Sequence, residues 1–233
     1  MWTPAQTAAF LASARDERLY ALFHLVALRG LRRGEAAGLR WADLDLEAGT
    51  LAISRQLQQL GGHLVTGPPK SQAGQRVIAL DRTTVAALRA HRQRQRAEHA
   101  AAGDRWRGNG YVFTSRSGAP VPPDWLTRYF RRLVTASGLP PVTLQGLRHG
   151  AATLALAAGT QMKVVQDQLG HSTITLTADT YTCVLPEVAR TAAEDAARLL
   201  FPPRRPRPPA THAHRNSPRR ASGYVRKRRR PAA

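Results

Sequence analysis

The last thirty-two residues set the first limit on what this chain can fold into. From Pro202 to Ala233 there are eleven Lys/Arg and no Asp/Glu, interleaved with prolines, as in "PPRRPRPP" and "YVRKRRRPAA". Such a stretch has too little apolar surface to offset the entropy of ordering its backbone, and it reads as a disordered basic tail over 201–233. The folded part must then come from residues 1–200, a length that supports one substantial core. The formal net charge is +20, and removing the tail's eleven cations still leaves +9. That balance points to a polyanionic partner. The tail itself reads either as a non-specific DNA-binding arm or as an incidental basic extension.

Within residues 1–200, helical segments bounded by proline or glycine dominate. Thr3-Pro4 predicts a capped helix through about Arg15, "ERLYALFHLVAL" a second that stops at Gly30, and "RRGEAAGL" a resumption. "DLDLEAGTLAIS" ends in alternation after a glycine turn and predicts a strand; "GGHLVTGPPKSQAGQRVIAL" predicts two more around an exposed hairpin loop carrying Lys70. A long polar helix is expected over 82–101, a short strand at "YVF", and helices over 123–136, 146–158, 162–169, 174–181 and 186–200. The expected fold class is α+β, mostly α-helical with a small antiparallel β-sheet. The single cysteine, Cys183, excludes an internal disulfide framework and a cysteine zinc cluster. No N-terminal stretch reads as a signal peptide or membrane span, so a soluble, cytoplasmic protein is expected.

Four stretches hold polar residues that local structure does not demand. "RGLRRGEAAGLRW" places Arg32 after a helix break with Glu35 three residues on. Lys70 is one of only three lysines among 35 basic residues, so a lone lysine on a loop stands out. "LQGLRHG" sets Arg148 and His149 at the start of an alanine-rich helix. "LGHSTITLTADTY" puts His171 at a Gly-His helix boundary and Tyr181 ten residues later. Arginine pairs suit a phosphate, because each planar guanidinium donates two parallel hydrogen bonds. A tyrosine can act as a covalent nucleophile and a lysine can protonate a leaving alkoxide. Singly, each has an ordinary reading: a surface arginine, a loop cation, a helix-end histidine, a core aromatic.

Their order and spacing resemble the catalytic domain of the tyrosine recombinases, the phage-integrase family, over roughly residues 3–200. The resemblance rests on "GLRRGEAAGLRW", "PPKSQAGQRVIAL", "LQGLRHGAATLALAAG" and "VVQDQLGHSTITLTADTYTCVLP". It implies a bacterial, DNA-associated enzyme acting on double-stranded DNA without metal or other cofactor. Arg32 and Arg148 would clamp the scissile phosphate, with Glu35 supporting Arg32. Lys70 would be the general acid to the 5′-hydroxyl, His171 a phosphate-contacting donor, and Tyr181 the nucleophile of a 3′-phosphotyrosyl bond. A helix after the nucleophile, residues 186–200, would dock on a neighbouring subunit in a tetramer on DNA, or else on its own domain.

The sequence also departs from the family's pattern. Gln145 stands where the family commonly has histidine, and Gly146 where it has aspartate. A glutamine donates a hydrogen bond but cannot shuttle a proton near neutral pH, so a slowed enzyme is expected. Loss of the aspartate is expected to remove a helix N-cap. Members of the family also place a helical clamp domain ahead of this one. With roughly thirty residues before Arg32, that domain is expected to be missing. A half-clamp would bind duplex weakly and with steep salt dependence. The competing expectation is an impaired integrase remnant that only binds DNA.

Overall fold

A computed structural model describes residues 1–108, 110–173 and 185–201, apart from the side chains of 185–189, 191, 192 and 195. The expected helix at 174–181, Tyr181, Cys183 and the basic tail lie outside the described residues. Met1–Glu194 forms one compact unit and Asp195–Ala233 a second. The described helices are α1 (Pro4–Ser13), α2 (Tyr20–Arg29), α3 (Arg33–Gly38), α4 (Arg82–Ala102), α5 (Pro123–Ala136), α6 (Leu144–Ala157), α7 (Met162–Leu169) and α8 (Leu185–Leu200). The strands are β1 (Leu44–Asp45), β2 (Thr50–Ile53), β3 (Gln56–Leu60), β4 (His63–Gly67) and β5 (Arg76–Ala79). The fold is α+β and mostly helical, as the sequence leads one to expect.

The core of the first unit is organised around α2. All seven residues from Ala21 to Ala27 are buried, and a helix apolar on every side has to sit inside. It packs against α1, α4 and α6. Trp2, Phe10, Phe23 and Phe130 interlock beside it, with ring centroids 5.1 Å apart for Trp2 and Phe10 and 5.3 Å for Phe10 and Phe130. Burying Phe10, Phe23 and Phe130 contributes about 2–3 kcal/mol each. The start of α1 follows from its sequence: Thr3 Oγ1 accepts from the Gln6 amide at 3.2 Å, and Gln6 Oε1 accepts from the Thr3 amide at 2.9 Å.

The alanine-rich character of α6 has a packing reason. Gly30 ends α2 in the left-handed conformation, φ 68°, and a Cβ there would lie 2.7 Å from Leu169 and 3.5 Å from both Ala151 and Arg148. The small side chain of Ala151 lets α6 come close to the end of α2, where Arg148 donates to Gly30 O. Helix α6 starts at Leu144, two residues earlier than expected, because Thr143 is its cap. Thr143 Oγ1 accepts from the Gly146 amide at 2.9 Å. The helix start is therefore capped despite the glycine at 146, contrary to the expectation of a lost cap.

The β structure divides into two antiparallel pieces, β1-β2-β5 and the hairpin β3-β4. Gly61 and Gly62, at φ 54° and 84°, form the two-residue turn of that hairpin. β3 packs on α3 because Gly34 and Gly38 lack side chains: a Cβ on either would come within 2.9 Å or 2.8 Å of the Leu57 backbone. Strand β3 carries no strand pattern in its sequence, since "QLQQL" is polar at three of five positions and mostly exposed. Lys70 consequently sits on a crossover between two sheets, not on a hairpin loop: β4 pairs with β3, and β5 with β2. The expected "YVF" strand is reduced to an isolated bridge of Tyr111 with Arg40, because the chain turns into a short 3-10 helix at Trp41. In the second unit the described residues end in Leu199, Leu200 and Phe201, all well exposed.

Candidate functional site

Helix α3 begins with Arg32 as its N-cap and Glu35 at the third helical position. The Glu35 carboxylate accepts from the Arg32 amide at 2.9 Å and from Arg32 Nη1 at 2.7 Å. Glu35 is 1% exposed and has two further guanidiniums around it. Arg76 Nη1 and Nη2 donate to its two oxygens at 3.1 Å and 2.9 Å, and Arg148 Nη1 stands 4.0 Å away. Burial alone would raise the pKa of this carboxyl. The hydrogen bonds and charge of Arg76, then those of Arg32, overcome burial and hold it below the ordinary carboxylate range.

The same three arginines meet a second partner, the C-terminal end of α7. The last carbonyls of a helix have no partner within it. Here three successive ones are each taken by a different arginine: Gln168 O by Arg76 Nε at 2.7 Å, Leu169 O by Arg148 Nη2 at 2.6 Å, and Gly170 O by Arg32 Nη2 at 2.9 Å. Arg148 also donates to Gly30 O, at the end of α2, at 2.5 Å. Negative helix ends and one carboxylate thus fix the positions of three cations. Gly170, at φ 64°, makes this possible, because a Cβ there would lie 2.7 Å from Ala73 O and 2.9 Å from Arg76 Nη1.

Arg32, Lys70, Gln145, Arg148 and His171 all line one open depression of about 880 Å³, together with Arg33. Glu35 lies buried among the arginines and does not line it. Lys70 and Gln145 are exposed, Gln145 on the first turn of α6. His171 follows the Gly170 turn and is buried, its carbonyl accepting from Gln166 Nε2 at 3.2 Å. Burial, then the charges of Arg148, Arg32, His149 and Arg76, push its imidazole down to about 4, so it is neutral at pH 7. His149 also lines the depression and is pushed below its ordinary value by burial and by Arg148. Positive charge in this depression therefore comes from arginines and Lys70, and the histidines contribute neutral donors and acceptors.

Sequence reasoning missed Arg76. The signal was there in strand parity: in "RVIA" Arg76 shares a face with the buried Ile78, while Val77 is 70% exposed. An arginine on the inward side of a strand needs a buried carboxylate, and Glu35 is that partner. Tyr181 lies outside the described residues.

Such a domain, mostly helical and presenting arginines held on a buried carboxylate to an open depression, belongs to the class that handles anionic groups. Residues 3–187 match the phage integrase family, and the chain belongs to that family. It is 32% identical over 199 residues to the XerC-like tyrosine recombinase of Caldanaerobacter subterraneus subsp. tengcongensis, covering 80% of this chain and 51% of that protein. It is 25% identical to the ICEBs1 integrase of Bacillus subtilis, covering 85% and 54%. The chain spans about half the length of these relatives. Among solved structures it resembles the Tn1549 transposon integrase in complex with transposon right end DNA. There the TM-score is 0.71 and the identity 26%, over 84% of this chain and 65% of that one.

Proposed function

We propose that the chain cuts and rejoins strands of double-stranded DNA at specific sites through a covalent tyrosyl intermediate. The observation that carries this reading is the gathering of Arg32, Lys70, Gln145, Arg148 and His171 around one depression. Arg32 and Arg148 hold the two non-bridging oxygens of a phosphodiester. Tyr181 gives up its phenolic proton to solvent and attacks phosphorus, the bond to the 5′-oxygen breaks, and Lys70 gives that oxygen its proton. His171 and Gln145 donate hydrogen bonds to the phosphoryl oxygens. Because the phosphotyrosyl bond keeps the energy of the diester it replaces, religation to a new 5′-hydroxyl needs no external energy.

Charge arithmetic supports phosphoryl chemistry. One carboxylate, Glu35, faces Arg32, Arg76 and Arg148, which leaves a local charge of +2. A phosphodiester brings −1, and attack by a phenolate raises the reacting group to −2. The cluster is thus better matched to the reacting state than to the bound ground state, the condition for rate acceleration. The DNA-bound Tn1549 integrase supports duplex DNA as the partner. Residues 1–200 are assigned as the catalytic domain and 201–233 as a basic arm on DNA. Residues 186–200 are assigned to subunit contact in a tetramer, which the exposure of Leu199 and Leu200 supports.

The test is supercoiled plasmid in EDTA, stopped with detergent, with Tyr181→Phe as control. Nicked, relaxed or protein-linked DNA that requires Tyr181 upholds the reading. Plasmid binding with no Tyr181-dependent product overturns it in favour of a protein that only binds DNA.

A further inference from the structure

Arg76 is the charged member of the cluster to which this chemistry assigns no contact with the phosphate. Its side chain is 6% exposed, and four of its five N–H groups are committed inside the protein. Nε donates to Gln168 O at 2.7 Å, Nη1 to Gly74 O at 2.8 Å and to Glu35 Oε1 at 3.1 Å, and Nη2 to Glu35 Oε2 at 2.9 Å. So engaged, it has almost nothing left to offer a phosphate. Each partner, however, belongs to a stretch that carries one residue of the site. Glu35 orients Arg32, Gly74 closes the crossover that bears Lys70, and Gln168 is three residues before His171.

We propose that Arg76 is a positioning residue, a strut from β5 that fixes Arg32, Lys70 and His171 in one arrangement around the phosphate. This rests on the function proposed above. The three stretches are far apart in sequence, and among the described residues Arg76 hydrogen-bonds to all of them at once. The Lys70 crossover is a short 3-10 turn, Gln72–Gly74, with Pro69 packed where a Gly74 side chain would go. Gln56 Nε2 holds its start by donating to Pro68 O at 2.9 Å, and Arg76 holds its end at Gly74 O. A lysine at 76 would keep the charge, but it donates from a single point and cannot reach both Glu35 oxygens, Gly74 O and Gln168 O together. Displacements near 1 Å are enough to cost on the order of 10²-fold in rate.

The test compares full-length wild type, Arg76→Lys and Arg76→Gln. It reads single-turnover formation of the Tyr181-linked plasmid complex, plasmid affinity by gel shift, and the rise in melting temperature with added inorganic phosphate. For Arg76→Lys the expected result is plasmid affinity within about twofold of wild type, a covalent rate slower by on the order of 10²-fold, and a weakened phosphate response. A covalent rate within about threefold of wild type overturns the proposal, as does a rate that falls only in step with affinity and folded fraction. Arg76→Gln serves the same comparison should the lysine variant not fold. If wild type itself gives no Tyr181-dependent product, the function proposed above fails separately. The phosphate titration then decides alone, and an unchanged response in the variants overturns the role of Arg76.

Discussion

Two arginine–carboxylate arrangements in this molecule use similar parts to opposite ends. At Glu98 on α4 the account closes: Arg18 Nε and Nη2 donate to its two oxygens at 2.6 Å and 2.5 Å, one cation to one anion. The remaining donors of Arg18 go to the carbonyls of Thr114 and Ser115. The pair stitches α4 to two loops and presents no surplus charge. At Glu35 three guanidiniums share one carboxylate, and each also donates to a carbonyl at the end of α7, with Arg148 reaching the end of α2 as well. Surplus cations held by carbonyl dipoles make a poor staple and a good receptor for an anion. The number of cations per carboxylate, more than burial, separates the two roles.

The largest test of that contrast sets Arg148→Lys against Arg18→Lys. Losing the fork at 148 is expected to slow Tyr181-dependent covalent complex formation by about 10³-fold, the upper range for one positioned transition-state donor. Arg18→Lys should lower the melting temperature yet leave the rate per folded molecule within about threefold. Equal slowing by both variants would break the distinction.

Next in size is the pair Glu35→Gln and Glu98→Gln, read by thermal melting between pH 3 and 7. Removing the Glu35 charge leaves three cations facing one another and is expected to cost about 3–5 kcal/mol, whereas Glu98→Gln should cost less. Both carboxyls are held below their ordinary value: burial pushes each up, and arginine hydrogen bonds and charge push it further down. Their contribution is therefore complete above the unfolded carboxyl's value of about 4.3, and it is lost as pH falls through the folded values. His171 acts over a higher window. The unfolded chain takes up a proton near pH 6.5 that the fold refuses until about 4, so stability also declines as pH falls from 6.5 towards 4. His171→Asn should remove its share of that slope, the rest staying with His24, His91 and His149, which burial also lowers.

A finer test compares two glycines at positive φ. Gly61→Ala, at φ 54° with nothing within 4 Å of the added Cβ, should show only the strain of about 1–2 kcal/mol and no loss of rate. Gly170→Ala, which would press on Ala73 O and Arg76, should in addition slow the covalent step about tenfold.

The contrast also marks what the sequence disclosed. Residues that line the depression drew notice, because Arg32, Lys70, Arg148 and His171 are polar where a helix break or loop does not require it. Only their order and the family resemblance set them apart from ordinary surface cations and helix-end histidines. Residues that face other residues did not. Arg76 sits in an ordinary-looking strand, and only its inward parity with Ile78 hints at a buried partner. Helices α2, α5 and α7 could be read from periodicity and end signals because those are local. The pairing of β4 with β3, and hence the true setting of Lys70, depends on long-range register that Gly61-Gly62 fixes locally but a polar β3 conceals.

The smallest effect should come from Gln145→His, for a reason the site itself supplies. The two histidines already lining the depression are both pushed towards the neutral form, by burial and by Arg148 among other charges. An imidazole introduced at 145 would share that depression with the same arginines. It would also sit on the first turn of α6, where the helix dipole disfavours a cation. It would be neutral at pH 7 and offer one N–H donor to the depression, as the Gln145 amide can. The gain in covalent complex formation is therefore expected to stay below about tenfold, well short of the 10²–10³ that follows loss of a donor outright. A larger gain that grows as pH falls from 7 to 6 would mean that the added imidazole is protonated there, and that the surplus charge around Glu35 is weaker than three arginines on one carboxylate imply.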